Sequence, residues 1–188
     1  MLNPVRIYGA WDEGIVLDKH IIKSIFLGCD EKGKEKFENT RTEIGELIYK
    51  FKYQKDKDCL FKIMNLIKDI LDKWKLKEKI DVVIPAPPSN KVREYQQVFE
   101  IAKEIAKYLN KECKLDILLK ESNLQVKDGH NVSGMIKQTK KLEKQSNILI
   151  IDDLYSTGAT LNETCKILRK DGNVKKIYCL AMTRTKGW

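Results

Sequence analysis

Short β-branched runs alternate along this chain with segments of helical period, and no other feature restricts the fold as much. Ile63, Leu66, Ile67, Ile70, Leu71 and Trp74 recur at helical spacing, which puts one apolar stripe on a helix across Asp56 to Trp74. Ile80 to Ile84 follows as a strand stopped by Pro85. Val98, Ile101, Ala102, Ile105, Ala106 and Leu109 give a second helix within Arg93 to Leu109, and Leu115 to Leu119 reads as the next strand. Glu121 to Gln138 is polar, bears glycine and has no clear period, so a mobile loop is expected there. Ile148 to Ile151 is an apolar strand core, Gly158 to Lys170 a helix and Val174 to Ala181 a final strand. Four such alternations predict an α/β, Rossmann-like parallel sheet with helices on both faces, whose ligands bind at the carboxyl ends of the strands.

The first 50 residues follow another pattern. Val5 to Trp11 and Ile15 to Leu17 flank Asp12-Glu13-Gly14, a hairpin turn, Ile21 to Leu27 reads as a strand, and Thr42 to Lys52 as a helix. With too little apolar material for a separate core, residues 1–50 are expected to form a small N-terminal cap or hood on an α/β core of residues 51–188. A chain of 188 residues makes one domain.

Several function classes find no support. No apolar run approaches the roughly 18 residues needed to cross a bilayer, and the N-terminus lacks the plan of a signal peptide, so a cytoplasmic location is expected. Cys29, Cys59, Cys113, Cys165 and Cys179 include no C-x-x-C pair, and His20 and His130 lie far apart, which leaves little for a zinc site or a histidine triad. The net charge of +9 raises the question of a polyanion, but only five of the 36 basic residues are arginine and the lysines are scattered. Aromatic residues do not interleave with a basic stripe, so nucleic acid is an open partner rather than the expected one.

The segment Ile148 to Thr160 carries the chemistry. An apolar strand delivers Asp152 and Asp153 to its carboxyl end, and Ser156-Thr157-Gly158-Ala159-Thr160 then turns into a helix. Amides at a helix N-terminus converge on an anion under the positive end of the helix dipole, and Gly158 permits close approach. The hydroxyls of Ser156, Thr157 and Thr160 add donors, while two adjacent carboxylates are acceptors suited to a diol. A phosphate and a vicinal diol on one ligand describe a ribose 5-phosphate. The bland alternative, that both aspartates only cap a helix, explains one carboxylate and leaves the other repelling its neighbour.

This segment resembles the signature of type I phosphoribosyltransferases, which bind 5-phosphoribosyl 1-pyrophosphate (PRPP). Val83-Ile84-Pro85-Ala86-Pro87-Pro88, Arg93-Glu94-Tyr95-Gln96-Gln97 and Tyr49 to Asp56 are further similar to blocks of the ComF-like, amidophosphoribosyltransferase-related branch linked to DNA uptake. The resemblance implies the type I phosphoribosyltransferase fold, with Asp152 and Asp153 on the ribose hydroxyls and Ser156, Thr157, Gly158, Ala159 and Thr160 on the 5-phosphate. It implies a pyrophosphate loop comprising Ala86, Pro87, Pro88, Ser89, Asn90, Lys91 and Arg93, often of unusual peptide geometry, and a flexible loop carrying Lys127, His130 and Asn131. Mg²⁺, held largely by the ligand's own oxygens with Asp152 and Asp153 as possible contacts, is the implied cofactor. PRPP and a small nitrogenous acceptor are the implied partners, and a homodimer is open. The chain departs from that branch in lacking an N-terminal cysteine module, in Glu94-Tyr95 where glycine-phenylalanine is usual, and in Lys127 and His130 where arginine is expected.

Three functions follow as expectations. The first is Mg²⁺-dependent transfer of phosphoribose to a nitrogenous acceptor, with Lys52 and Tyr53 on the acceptor side if the cap folds over the strand ends. The second keeps the PRPP pocket without turnover, as an accessory or sensor in DNA uptake, recombination or repair. The third is a nucleic-acid module with a vestigial pocket.

Overall fold

The computed structural model describes residues 2–54, 56, 58–88, 96–120 and 134–185. β1 (Val5–Arg6) lies antiparallel to β2 (Glu13–Lys19), and β3 (Ile21–Cys29) with β4 (Glu35–Arg41) forms a hairpin that pairs only with itself among the described residues. α1 (Glu43–Tyr53), α2 (Asp58–Lys73) and the single turn α3 (Leu76–Lys79) lead to β5 (Val82–Pro85), α4 (Gln97–Leu109) and the two-residue β6 (Glu112–Cys113). A second self-paired hairpin, β7 (Leu118–Lys120) with β8 (Ile136–Gln138), precedes β9 (Ser146–Tyr155), α5 (Ala159–Leu168) and β10 (Val174–Arg184).

The main sheet runs β1-β2-β10-β9-β5-β6, parallel throughout except for β1. Strand alternation divides its side chains between two cores. Leu149, Ile151, Leu180 and Met182 face Ile44, Ile48 and Phe51 of α1, Ile63 and Ile67 of α2, and Ile101 and Ile105 of α4. Ile148, Ile150, Cys179 and Ala181 face Leu161, Cys165 and Leu168 of α5. Each fully buried Ile or Leu contributes on the order of 1.5–3 kcal/mol, so these two layers hold the strand ends in place. Helices thus cover both faces, as the sequence predicts, with four on one side and one on the other among the described residues.

The N-terminal segment is only partly a cap. β2 pairs with β10 from Glu13 to Lys19, so β1 and β2 extend the main sheet, and only the β3–β4 hairpin stands away from it. The reason is burial: Val16 and Leu17 are fully covered, one in each core, which a peripheral cap does not require. α1 is fixed to this extension at its start. Thr42 caps it by accepting from the Gly45 amide at 3.0 Å and donates to the Lys19 carbonyl at 2.5 Å. A Cβ on Gly45 would meet the His20 carbonyl oxygen at 2.2 Å, so only glycine lets the helix approach that closely.

Two further expectations need correction. The strand expected at Leu115 to Leu119 divides, because the main-sheet strand is the short polar pair Glu112–Cys113, while Leu118 belongs to the β7–β8 hairpin. The stretch expected to be loop through Gln138 ends as β8, anchored by Ile136, which is 1% exposed. No helix among the described residues is long and apolar enough to cross a membrane.

Candidate functional site

β9 carries Asp152 and Asp153 as adjacent residues near its carboxyl end, one packed beside α5 and the other beside α1 and α4, with their carboxyl groups close enough to interact. Asp153 lies on the face of α1 and α4, where Lys52 Nζ donates to its Oδ2 at 3.2 Å and Gln97 Nε2 donates to the same oxygen. Its carbonyl accepts from Thr183 Oγ1 at 3.0 Å, and that hydroxyl meets His20 Nδ1 at 3.2 Å. Asp152 lies on the α5 side, partly covered. Burial, and then the neighbouring charge of Asp153, push its carboxyl up to about 7, against the amides of Asp153 and Leu154, which favour the charged form.

The chain then turns through Tyr155, Ser156 and Thr157 to Gly158, whose φ of 77° is the left-handed conformation that opens α5. A Cβ there would meet the Tyr155 hydroxyl oxygen at 2.8 Å, so glycine is required twice over. Gly158 is the helix N-cap and offers no side chain to the first turn. The Ala159 amide donates to Thr157 Oγ1 at 3.3 Å, and the first regular helical bond runs from Asn162 to the Gly158 carbonyl. A cavity of about 220 Å³ fills the concavity, lined by Asp152, Lys120 and every residue from Leu154 to Leu161. First-turn amides, the hydroxyls of Ser156, Thr157 and Thr160 and a lysine therefore surround a space with an aspartate on its wall, a set of donors suited to an anion. Neither aspartate caps the helix.

Of the expected pyrophosphate-loop residues, Ala86 is buried and its amide donates to the Ile151 carbonyl at 2.8 Å, while Pro87 and Pro88 lead away from β5. No peptide bond among the described residues is cis, so the unusual peptide geometry expected for this loop is not found at Ala86, Pro87 or Pro88. Ser89, Asn90, Lys91 and Arg93, and the flexible-loop residues Lys127, His130 and Asn131, lie outside the described residues. Trp11 packs into the α5-side core edge-on to Tyr155 and donates its indole N–H to the Ile7 carbonyl at 2.9 Å. Three site-lining or site-bracing residues escaped the sequence reading: Lys120, Gln97 and Thr183. Gln97 carried a signal, since it ends the motif block begun by Arg93.

Asp152 and Asp153 are the residues at this site that would hold a divalent cation. Among the described residues no group of three or more His, Cys, Asp and Glu side chains gathers as metal ligands. Two carboxylates, one of them raised by unmet burial, fit an Mg²⁺ ion that takes its remaining oxygens from a phosphorylated ligand and water.

The phosphoribosyl transferase domain family matches residues 52–186. A search of curated protein sequences finds no match. Among solved structures, an adenine phosphoribosyltransferase from Trypanosoma brucei, in complex with AMP, pyrophosphate and ribose-5-phosphate, is similar over 98% of this chain and 87% of its own, at 12% identity and a TM-score of 0.53. An adenine phosphoribosyltransferase from Thermoanaerobacter pseudethanolicus covers 87% of this chain and 95% of its own at 14% identity and a TM-score of 0.49. A hypoxanthine phosphoribosyltransferase from Staphylococcus aureus covers 66% and 64% at 16% identity and a TM-score of 0.46. With the family matched from the end of α1 to the end of β10, and its signature folded around an anion-sized cavity, the chain belongs to the phosphoribosyltransferase domain family.

Proposed function

We propose that the protein transfers the 5-phosphoribosyl group of PRPP to a ring nitrogen of a small heterocyclic acceptor, releasing pyrophosphate. The observation that carries this reading is the cavity at the start of α5, which joins an anion cradle to Asp152 without an intervening wall. Ser156, Thr157, Thr160 and the first-turn amides receive the 5-phosphate, Lys120 adds charge, and Asp152 and Asp153 accept hydrogen bonds from the ribose hydroxyls. The bond between the anomeric carbon and oxygen breaks with its electron pair leaving on pyrophosphate, while the acceptor nitrogen's lone pair forms the new bond and the proton that nitrogen carried passes to the released pyrophosphate or to water. Bound Mg²⁺ supplies charge neutralisation to the departing pyrophosphate, with Asp152 and Asp153 as the residues that would hold it. The chain's part is to hold the sugar by both ends and to keep water away, since the transition state needs position and charge more than a protein nucleophile.

Titration calorimetry with PRPP and Mg²⁺, followed by a pyrophosphate-release assay over a panel of bases, tests the proposal. Micromolar binding with base-dependent release supports it. Binding without release from any base points to the accessory role of the ComF-like branch, and failure to bind PRPP with salt-dependent DNA affinity points to a nucleic-acid module.

A further inference from the structure

Arg184 ends β10, the strand beside the one that carries both aspartates, and nothing described around it meets its charge. Only 7% of the residue is exposed, and Nε and Nη1 of its guanidinium are buried with no hydrogen-bond partner. Among the described residues it forms no ion pair. The register pairs Arg184 with Tyr155 of β9 and Lys19 of β2, so it stands at the carboxyl rim of the sheet. Leu180 and Met182 face the α1–α4 core, and the register sets Arg184 opposite Tyr155, two residues beyond Asp153 on the neighbouring strand.

The neighbouring charges at this corner have partners, although Nε of Arg41 is also buried without one. Asp153 receives Lys52 and Gln97. Arg41 lies 3.5 Å from Glu46 and stacks over Tyr49 at 3.8 Å. His20, on the β2 side, donates its amide to the Arg184 carbonyl at 2.7 Å and meets Thr183 with its ring. One guanidinium is left over, in a place where an unpaired buried cation is strongly unfavourable. A sugar phosphate held at the α5 amides would lie along this same strand-end rim beside Asp152 and Asp153, and the orphaned donors of Arg184 belong to that rim.

We infer that the acceptor carries a carboxylate on its heterocycle and that Arg184 receives it, a conclusion that rests on the transfer reading above. A planar guanidinium pairs with a carboxylate through two parallel hydrogen bonds, which fixes the ring's orientation as well as its charge. A neutral purine such as adenine leaves that charge unmet.

Matched acceptors that differ by the carboxylate test this directly: orotate against uracil, and nicotinate against nicotinamide, with adenine and hypoxanthine as neutral controls. The expected result is a preference of at least 100-fold in kcat/KM for the carboxylated member of one pair. Arg184→Met should erase that preference while leaving PRPP affinity, measured by calorimetry, within about twofold, and Arg184→Lys should restore part of it. Equal use of the neutral member, use of adenine or hypoxanthine alone, no turnover of any carboxylated acceptor, or a preference that survives Arg184→Met overturns the inference. In each of those cases PRPP binding still leaves phosphoribose binding standing, whereas absence of PRPP binding removes both. The wild-type comparison holds even if the Met variant does not fold.

Discussion

Lys52, near the end of α1, places its ammonium 3.2 Å from Oδ2 of Asp153 on β9, 101 residues away in sequence. Gln97, at the start of α4, donates to the same oxygen. Two helices on one face thus clamp a single carboxylate, and the clamp fixes its rotamer before any ligand arrives.

That clamp predicts a functional effect larger than its structural one. The Lys52–Asp153 pair is partly solvated, so Lys52→Met should shift the Tm by no more than a few degrees. Freeing the carboxylate removes a charge-assisted hydrogen bond from a preorganised site, and PRPP affinity should fall about tenfold. Gln97→Leu should act in the same direction, and the double variant should lose more than the two singles together, because either partner alone still holds part of the geometry. Additive losses in calorimetry would show that the two residues act separately.

Replacing both aspartates asks whether they bind sugar at all. Asp152→Asn with Asp153→Asn keeps shape and volume but removes both anionic acceptors. With roughly 1.5–3 kcal/mol for each hydrogen bond to a charged group, PRPP affinity should drop at least about 100-fold while the circular dichroism spectrum is retained. Unchanged affinity would refute the assigned roles.

Periodic apolar stripes made α2, α4 and α5 legible, because residues such as Ile63, Ile67 and Leu71 are buried by their helical position alone. The phosphate-binding turn was legible for a related reason, since its strand, turn and helix are contiguous. What the sequence hid depends on distance along the chain. β6 is two residues, one exposed and one half-buried, and is a strand only because β5 lies beside it. Gln97 and Lys52 become site residues only when two helices converge on Asp153. Arg184 follows the buried run Ile177 to Thr183, and an arginine at the end of such a run was a readable signal of a rim position. The strand predicted over Val174 to Ala181 stops three residues short of it.

Titration of Asp152 sets an opposition between stability and binding. Its folded value, pushed up to about 7 by burial and then by Asp153, stands above the ordinary 3.8. Between those values the folded protein holds a proton that the unfolded chain has released, so this group's contribution to stability falls as pH rises through that window. Below about pH 4 both states are neutral and the difference vanishes. Asp152→Asn, which has no proton to lose, should therefore raise the Tm at pH 8 and leave it unchanged near pH 4. An equal effect at both values would mean that the carboxyl is not held protonated. Ligand binding should run the other way. A diol and a divalent cation need the carboxylate, so PRPP affinity should strengthen from pH 6 to 8. Calorimetry at pH 6.5 in two buffers of different ionisation enthalpy should detect protons released on binding.

Gly158 tests the anion cradle through its backbone. Alanine there must adopt a φ of 77° and place a methyl group 2.8 Å from the Tyr155 hydroxyl oxygen. The left-handed conformation costs about 1–2 kcal/mol, and Tyr155 has little room to yield, because it is 4% exposed and packs edge-on against Trp11. For a domain of this size that loss corresponds to a Tm lower by roughly 2–8 °C. If the turn also holds the 5-phosphate, Gly158→Ala should weaken ribose 5-phosphate and PRPP by similar factors, since the two ligands share that phosphate and differ only at the pyrophosphate. A variant that loses PRPP binding but keeps ribose 5-phosphate binding would place the damage at the pyrophosphate loop instead. Equal loss of both, with inorganic pyrophosphate binding unchanged, ties the phosphate to the start of α5.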